Sequence, residues 1–169
     1  GSIDVVVGDG CFSVLAFPDE VRAFAREVRR VTVSDARLVM RVFASPDAPA
    51  SLDAIAEDLR GGKIGSFHVL KWRLAMAVQA SPERGAVLRE VHAACMDLAP
   101  ILDELAGTPG FEPEVTRTIE AYRSSGIKYT FPAVSLLKEA LAETFEVTAT
   151  FTKSYELGER CPTLVLRRR

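Results

Sequence analysis

The sequence predicts an α/β fold: a strand-helix-strand unit at the start and a closing hairpin at the end contribute to one mixed sheet, and a long helical insertion separates them. Three observations carry this expectation. The apolar runs Ile3-Asp4-Val5-Val6-Val7 and Arg37–Phe43 flank a stretch of helical periodicity. From Ala44 to Glu143 the hydrophobic residues recur at helical spacing, too long a stretch for a simple crossover. Beyond Glu143 the period changes to two, the spacing of strands.

The elements follow in order. Val21, Phe24, Ala25, Val28 and Val31 line one face of a helix from Pro18 to Val31, with Pro18, Asp19 and Glu20 suited to its first turn. Thr32 to Ala36 is expected to be a short loop, with Ser34-Asp35 at its turn and Asp35 the residue that best tolerates a left-handed backbone. The strand-helix-strand unit then predicts two adjacent parallel strands buried on both faces. In the insertion, a first helix carries Leu52, Ile55, Ala56 and Leu59 and stops at Gly61-Gly62. A second carries Phe67, Leu70, Leu74, Ala77 and Val78. A third is expected to start at Ser81-Pro82-Glu83, with Val87, Leu88, Val91, Cys95 and Leu98 on one face, and to be interrupted at Pro100. After the turn Thr108-Pro109-Gly110 come helices over Pro113–Arg123 and Pro132–Glu143. Val147–Thr152 and Thr163–Leu166 are expected to pair as an antiparallel hairpin.

Composition narrows the class. The chain has 169 residues, 48% of them hydrophobic, enough for one continuous domain divided as 1–43, 44–128 and 129–169. A net charge of −2 gives no general attraction to nucleic acid or to an anionic membrane. No apolar run approaches the roughly twenty residues that span a bilayer. Cys11, Cys95 and Cys161 are odd in number and far apart, which matches neither a disulfide framework nor a zinc site and points to a reducing cytoplasm.

The order of elements resembles strands four to seven of the class I S-adenosylmethionine-dependent methyltransferases, whose sheet is Rossmann-like. Ile3–Gly10, Glu27–Val31 and Arg37–Phe43 are similar to that family's fourth strand, fourth helix and fifth strand. Tyr129-Thr130-Phe131-Pro132, Leu136–Glu139 and Tyr155–Leu166 are similar to its last helix and closing hairpin. The resemblance implies S-adenosylmethionine as cofactor and a small molecule as methyl acceptor. It also implies that the family's glycine-rich turn, ribose-binding acid and adenine-flanking residues lie on strands that precede this stretch, so this chain alone is not expected to be active. Gly8-Asp9-Gly10 would stand beside the cofactor site only, with no helix beginning at once to offer its N–H groups. A different reading of the same edge makes the chain a non-catalytic interaction module, in which Val5-Val6-Val7 pairs with the missing N-terminal half or with a second copy.

Ligands of open α/β sheets sit outside the carboxyl ends of the strands, where Gly8–Phe12, Phe43–Pro46 and Tyr155–Arg160 are expected. Asp9 is either an acid or polar contact for the substrate or a turn carboxylate that bonds local N–H groups. Cys11 is a nucleophile or a small buried filler, and Cys11, Phe12 and Phe43 complete that rim. Tyr122, Arg123 and Tyr129 form either a substrate wall with His68 and Trp72 or ordinary interhelical contacts. His68 and His92 offer no metal-ligand spacing. Gly61-Gly62-Lys63 has the composition of a phosphate loop but no preceding strand, and reads as a helix cap. Arg160 pairs with Glu156 or Glu159, or reaches an acidic group of the substrate, and Tyr155 of the same loop is a candidate substrate contact. The run Arg167-Arg168-Arg169 is a solvated strand end or a basic patch.

Overall fold

Two apolar runs joined by an amphipathic helix fold as their periodicity dictates. In the computed structural model, which describes all residues from Gly1 to Arg169, β1 (Ile3–Asp9) and β2 (Thr32–Arg41) lie side by side and parallel, joined by α1 (Asp19–Val31). Two antiparallel strands, β5 (Phe145–Phe151) and β6 (Thr163–Arg168), complete a sheet in the order β1-β2-β6-β5. The last strand therefore runs between two parallel ones and opposite to both.

Register sets the core. Leu38 faces Leu166 and Met40 faces Leu164 across the β2–β6 pair, and all four are fully buried. Val21, Ala25 and Val28 of α1 cover them together with Leu137, Ala140 and Leu141 of α7 (Val134–Leu141), and Phe12, Phe17 and Phe145 close the layer. Phe12 meets Phe24 edge to face, 5.7 Å between centroids.

The expectation of a sheet buried on both faces is corrected. Both helices of this unit pack on the same face, so the row Val7, Val39, Val165 and Ala149 on the other has no layer of the unit over it. Val7 is 75% exposed and Val5 54%.

The loop expected at Thr32–Ala36 belongs to β2, because Ile3 pairs with Thr32 and Val5 already with Arg37, which leaves a bulge between them. Asp35 does not take up the left-handed conformation, and Leu157 is the one non-glycine residue with positive φ (66°). At the strand end, Arg167 pairs with Glu146 and the Arg168 guanidinium donates to the Thr32 carbonyl, tying β6 to its neighbours.

The chain divides into two compact units. The sheet unit comprises Gly1–Asp47, Ser81–Gly85 and Thr130–Arg169, and the helical unit Ala48–Ala80 and Ala86–Tyr129. Within the helical unit, α2 (Leu52–Arg60) starts at Ser51, whose hydroxyl accepts from Ala54 N, and ends at Gly61. α3 (Phe67–Val78) starts at Ser66 in the same way, its hydroxyl accepting from Val69 N.

The helix expected from Ser81 begins only at Leu88. Ser81–Arg84 is a single turn, Gly85 breaks it at φ 70°, and β3 (Ala86–Val87) pairs antiparallel with β4 (Lys128–Tyr129) before α4 (Leu88–Met96) begins. Pro100 falls in the first turn of a separate α5 (Ala99–Leu105), where its missing N–H costs nothing. The stretch expected as one helix over Pro113–Arg123 is a four-residue α6 (Pro113–Thr116) followed by a 3-10 turn, Arg117–Tyr122. The last helix is shorter at both ends than Pro132–Glu143, with Ala133 as its N-cap and Leu141 as its last residue. Gly110 (φ 86°) brings the 107–111 turn against α3, where a Cβ would stand 2.3 Å from the Gly65 carbonyl oxygen.

Single-sided burial makes a direct prediction. Leu38→Ala empties a fully buried site and is expected to cost about 2–5 kcal/mol of stability. Val7→Thr on the open face is expected to cost less than about 0.5 kcal/mol. Urea unfolding midpoints of the two variants measure the contrast, and equal losses would mean that the second face is covered.

Candidate functional site

In the sheet unit, pairing alone brings together residues distant in sequence. Asp9 and Arg41 are register partners at the carboxyl ends of β1 and β2, and Arg41 forks onto the carboxylate with Nε and Nη2 donating over 2.6 and 2.7 Å. The guanidinium also lies 5.7 Å from the centroid of the Phe43 ring. Hydrogen bonding by Asp9, and then the nearby Tyr155 phenol, holds Arg41 charged well beyond the usual guanidinium range.

Gly10 follows Asp9 in the left-handed region (φ 65°), where a Cβ would stand 2.5 Å from the Phe43 ring. Its N–H donates to the Arg41 carbonyl and its carbonyl accepts from the Ser13 hydroxyl. Gly8 is less constrained, since its φ is not positive and the atom 2.5 Å from where its Cβ would be is the flexible end of the Met40 side chain. The ladder continues past the strand ends, with Val42 N donating to the Pro162 carbonyl and Ala44 N to the Arg160 carbonyl. The three loops expected at this end therefore do converge there.

Several sequence expectations change in detail. Asp9 does not bond the turn N–H groups; it pairs with Arg41 while its side chain stays largely exposed. Phe12, expected on the substrate rim, is only 2% exposed and belongs to the core, because a 3-10 turn (Cys11–Val14) begins directly after Gly10 and rotates its ring inward. That four-residue turn follows Gly10 at once, and the first α-helix begins only at Asp19. Cys11 is half-buried, its Sγ 3.2 Å from the Met40 sulfur, and burial pushes its thiol up, which leaves little thiolate for nucleophilic attack. Arg160 pairs with Glu159 at 3.5 Å. Tyr155 is exposed beside Arg41 and Cys161, and burial raises the Cys161 thiol.

A nucleoside cofactor needs a carboxylate to accept from ribose hydroxyls and a glycine turn opening a helix. Here the strand-borne carboxylate is forked to Arg41 and the turn opens only four residues of 3-10 helix. These residues do not fit S-adenosylmethionine, and Gly8-Asp9-Gly10 does not build its site.

The helical unit holds a second cluster. His68, Lys71, Trp72 and Ala75 lie on one face of α3 at positions i, i+3, i+4 and i+7, and with Leu88, Tyr122 and Tyr129 they enclose a recess of about 80 Å³. Trp72 stacks on Tyr129 with 6.3 Å between centroids and 27° between planes. Four of the five residues expected as a wall meet here. Arg123 does not line the recess; it pairs with Glu120 at 2.5 Å.

Lys71 was absent from the sequence expectation, although its spacing from His68 and Ala75 marks it as part of that face. Its ammonium donates to Thr118 Oγ1 over 2.8 Å and lies 5.5 Å from the Phe67 ring and 5.8 Å from that of Tyr122. Burial lowers its basicity. Burial, and then the nearby Tyr129, raises the Tyr122 phenol. His92 is buried, its Nε2 unbonded and 3.7 Å from a Glu120 oxygen, and no group of three or more His, Cys, Asp or Glu side chains is placed to hold a metal ion.

Comparison with family models, with curated proteins and with solved structures gives no match for this chain.

Cys95 supplies a pH prediction. It is fully buried, and desolvation pushes its thiol from the ordinary 9.0 up to about 11, partly offset by Lys71. Between those values the folded state holds a proton that the unfolded state has lost, so stability falls as pH rises across that window. Cys95→Ala is expected to remove up to about 1.4 kcal/mol of that fall per pH unit. Urea titrations of both proteins at pH 8.5, 9.5 and 10.5 check it, and parallel curves would refute it.

Proposed function

We propose that this chain forms the acceptor-side half of an S-adenosylmethionine-dependent methyltransferase for a small molecule. The observation that carries the reading is the sheet itself. An antiparallel final strand runs between a parallel strand-helix-strand unit and the strand preceding it in sequence. The open face of the sheet unit supports the same reading, since Val7, Val39 and Val165 form an apolar row of the kind that a further layer covers. β1 pairs on one side only and leaves its other edge to accept a strand. In this reading the sheet unit supplies frame and edge, the helical unit supplies the acceptor recess, and the cofactor is held by residues other than these.

The test compares two proteins. The source-length protein that contains this chain is expected to bind S-adenosylmethionine saturably below about 1 mM, measured by equilibrium dialysis, and the 169-residue chain alone is not. Absence of binding by the source-length protein overturns the methyltransferase reading. Stoichiometric binding by the chain alone overturns the division of labour.

The exposure of Val5 and Val7 at the sheet edge favours a second reading, a non-catalytic module that associates through β1. Val6→Lys or Val6→Pro is then expected to turn a dimer into a monomer on gel filtration. A wild-type chain that is already monomeric, or a dimer that survives both changes, refutes it.

A further inference from the structure

Of the cations that the ion pairs of the helical unit leave out, Arg60, Arg89, Arg117 and Lys128 are exposed and Lys71 alone is not. Asp58 takes both Lys63 and Arg73, and Glu120 takes Arg123 and faces His92. Lys71 has a hydroxyl and two aromatic rings for partners but no carboxylate. A half-buried ammonium without an anion carries a desolvation cost that cation–π contacts offset only in part. It stands in the wall of a recess whose other sides are flat and apolar: the Trp72–Tyr129 stack, Tyr122, and a floor of buried Ala75 and Leu88. His68, exposed at the rim, adds a polar group.

The size of the recess limits what enters. At about 80 Å³ it is smaller than the roughly 150 Å³ cavity that takes up benzene, so it accepts one end of a ligand and not the whole. A carboxylate is small, planar and anionic, which suits the volume, the flat walls and the unpaired cation together. We propose that this recess binds the carboxylate end of a small aromatic or conjugated acid, with Lys71 as its ion-pair partner and Trp72 as the surface against which the acid's plane lies.

The inference rests on the methyltransferase reading only where it would name this acid as the methyl acceptor. Its test involves no cofactor. A failed titration leaves S-adenosylmethionine binding by the source-length protein untouched, and failure of the latter leaves the titration untouched.

Trp72 is the chain's single tryptophan, so intrinsic fluorescence excited at the indole band reports on this recess. Titration of the 169-residue chain with benzoate is expected to give a saturable change, and the neutral isostere benzamide to bind about tenfold more weakly or less. Lys71→Met keeps the stem and is expected to abolish the preference for benzoate, and Lys71→Arg to keep it. Thermal midpoints confirm that each variant is folded.

The comparison of benzoate with benzamide on the unmodified chain decides the matter even if a variant fails to fold. Equal binding of the two, no saturable response to benzoate, or an unchanged preference in folded Lys71→Met overturns the proposal. Inorganic phosphate acting as well as benzoate overturns the assignment to a planar acid.

Discussion

The pairing of β2 with β6 is the constraint on which the sheet unit depends. It places Leu38 opposite Leu166 and Met40 opposite Leu164, so one face of two central strands becomes a continuous apolar surface. α1 and α7 can shed water from their own apolar faces only by covering that surface, and both do. Because side chains alternate along a strand, the same register sends Val39 and Val165 to the opposite face. The open side of the sheet and its core are therefore one decision.

That register also fixes the chemistry at the strand ends. Asp9 and Arg41 are neighbours because β1 and β2 run parallel with Val7 opposite Val39, and the fork between them follows two residues later. Both side chains remain substantially exposed, at 63% and 41%, so the pair contributes little to stability. Its consequence is geometric: it commits the carboxylate that the rim would otherwise offer to a ligand. The loop Tyr155–Arg160 reaches the same end through Leu157, a non-glycine residue in the left-handed region, followed by Gly158, where any Cβ would meet the Lys153 carbonyl. Backbone strain of this kind persists only where the surroundings enforce it.

The helical unit obeys a different logic. Its helices are short, α2 and α3 are capped by serine side chains, and it closes through one two-residue strand pair and a glycine turn pressed against the start of α3. Such local devices fix α3 with its His68, Lys71, Trp72 and Ala75 face toward the aromatic residues of the segments after α6. The result is a recess whose walls come from four elements.

The amino-acid sequence by itself determined the elements whose signal is local. The face of α1, the stop at Gly61 and the turn at Gly110 follow from periodicity and glycine, signals that act over a few residues of the chain. His68, Trp72, Tyr122 and Tyr129 were expected as one wall together with Arg123, which the structure instead pairs with Glu120. Only the tertiary structure decided what depends on partners far along the chain: the bulge that absorbs Thr32–Ala36 into β2, the late start of α4 forced by Ala86-Val87 pairing with Lys128-Tyr129, and the turn that buries Phe12. It likewise decided that Asp9 answers to Arg41 and that Lys71 answers to no carboxylate. Periodicity states which residues share a face. Which strand lies beside that face, and which charges are already paired when it closes, depends on long-range register and packing.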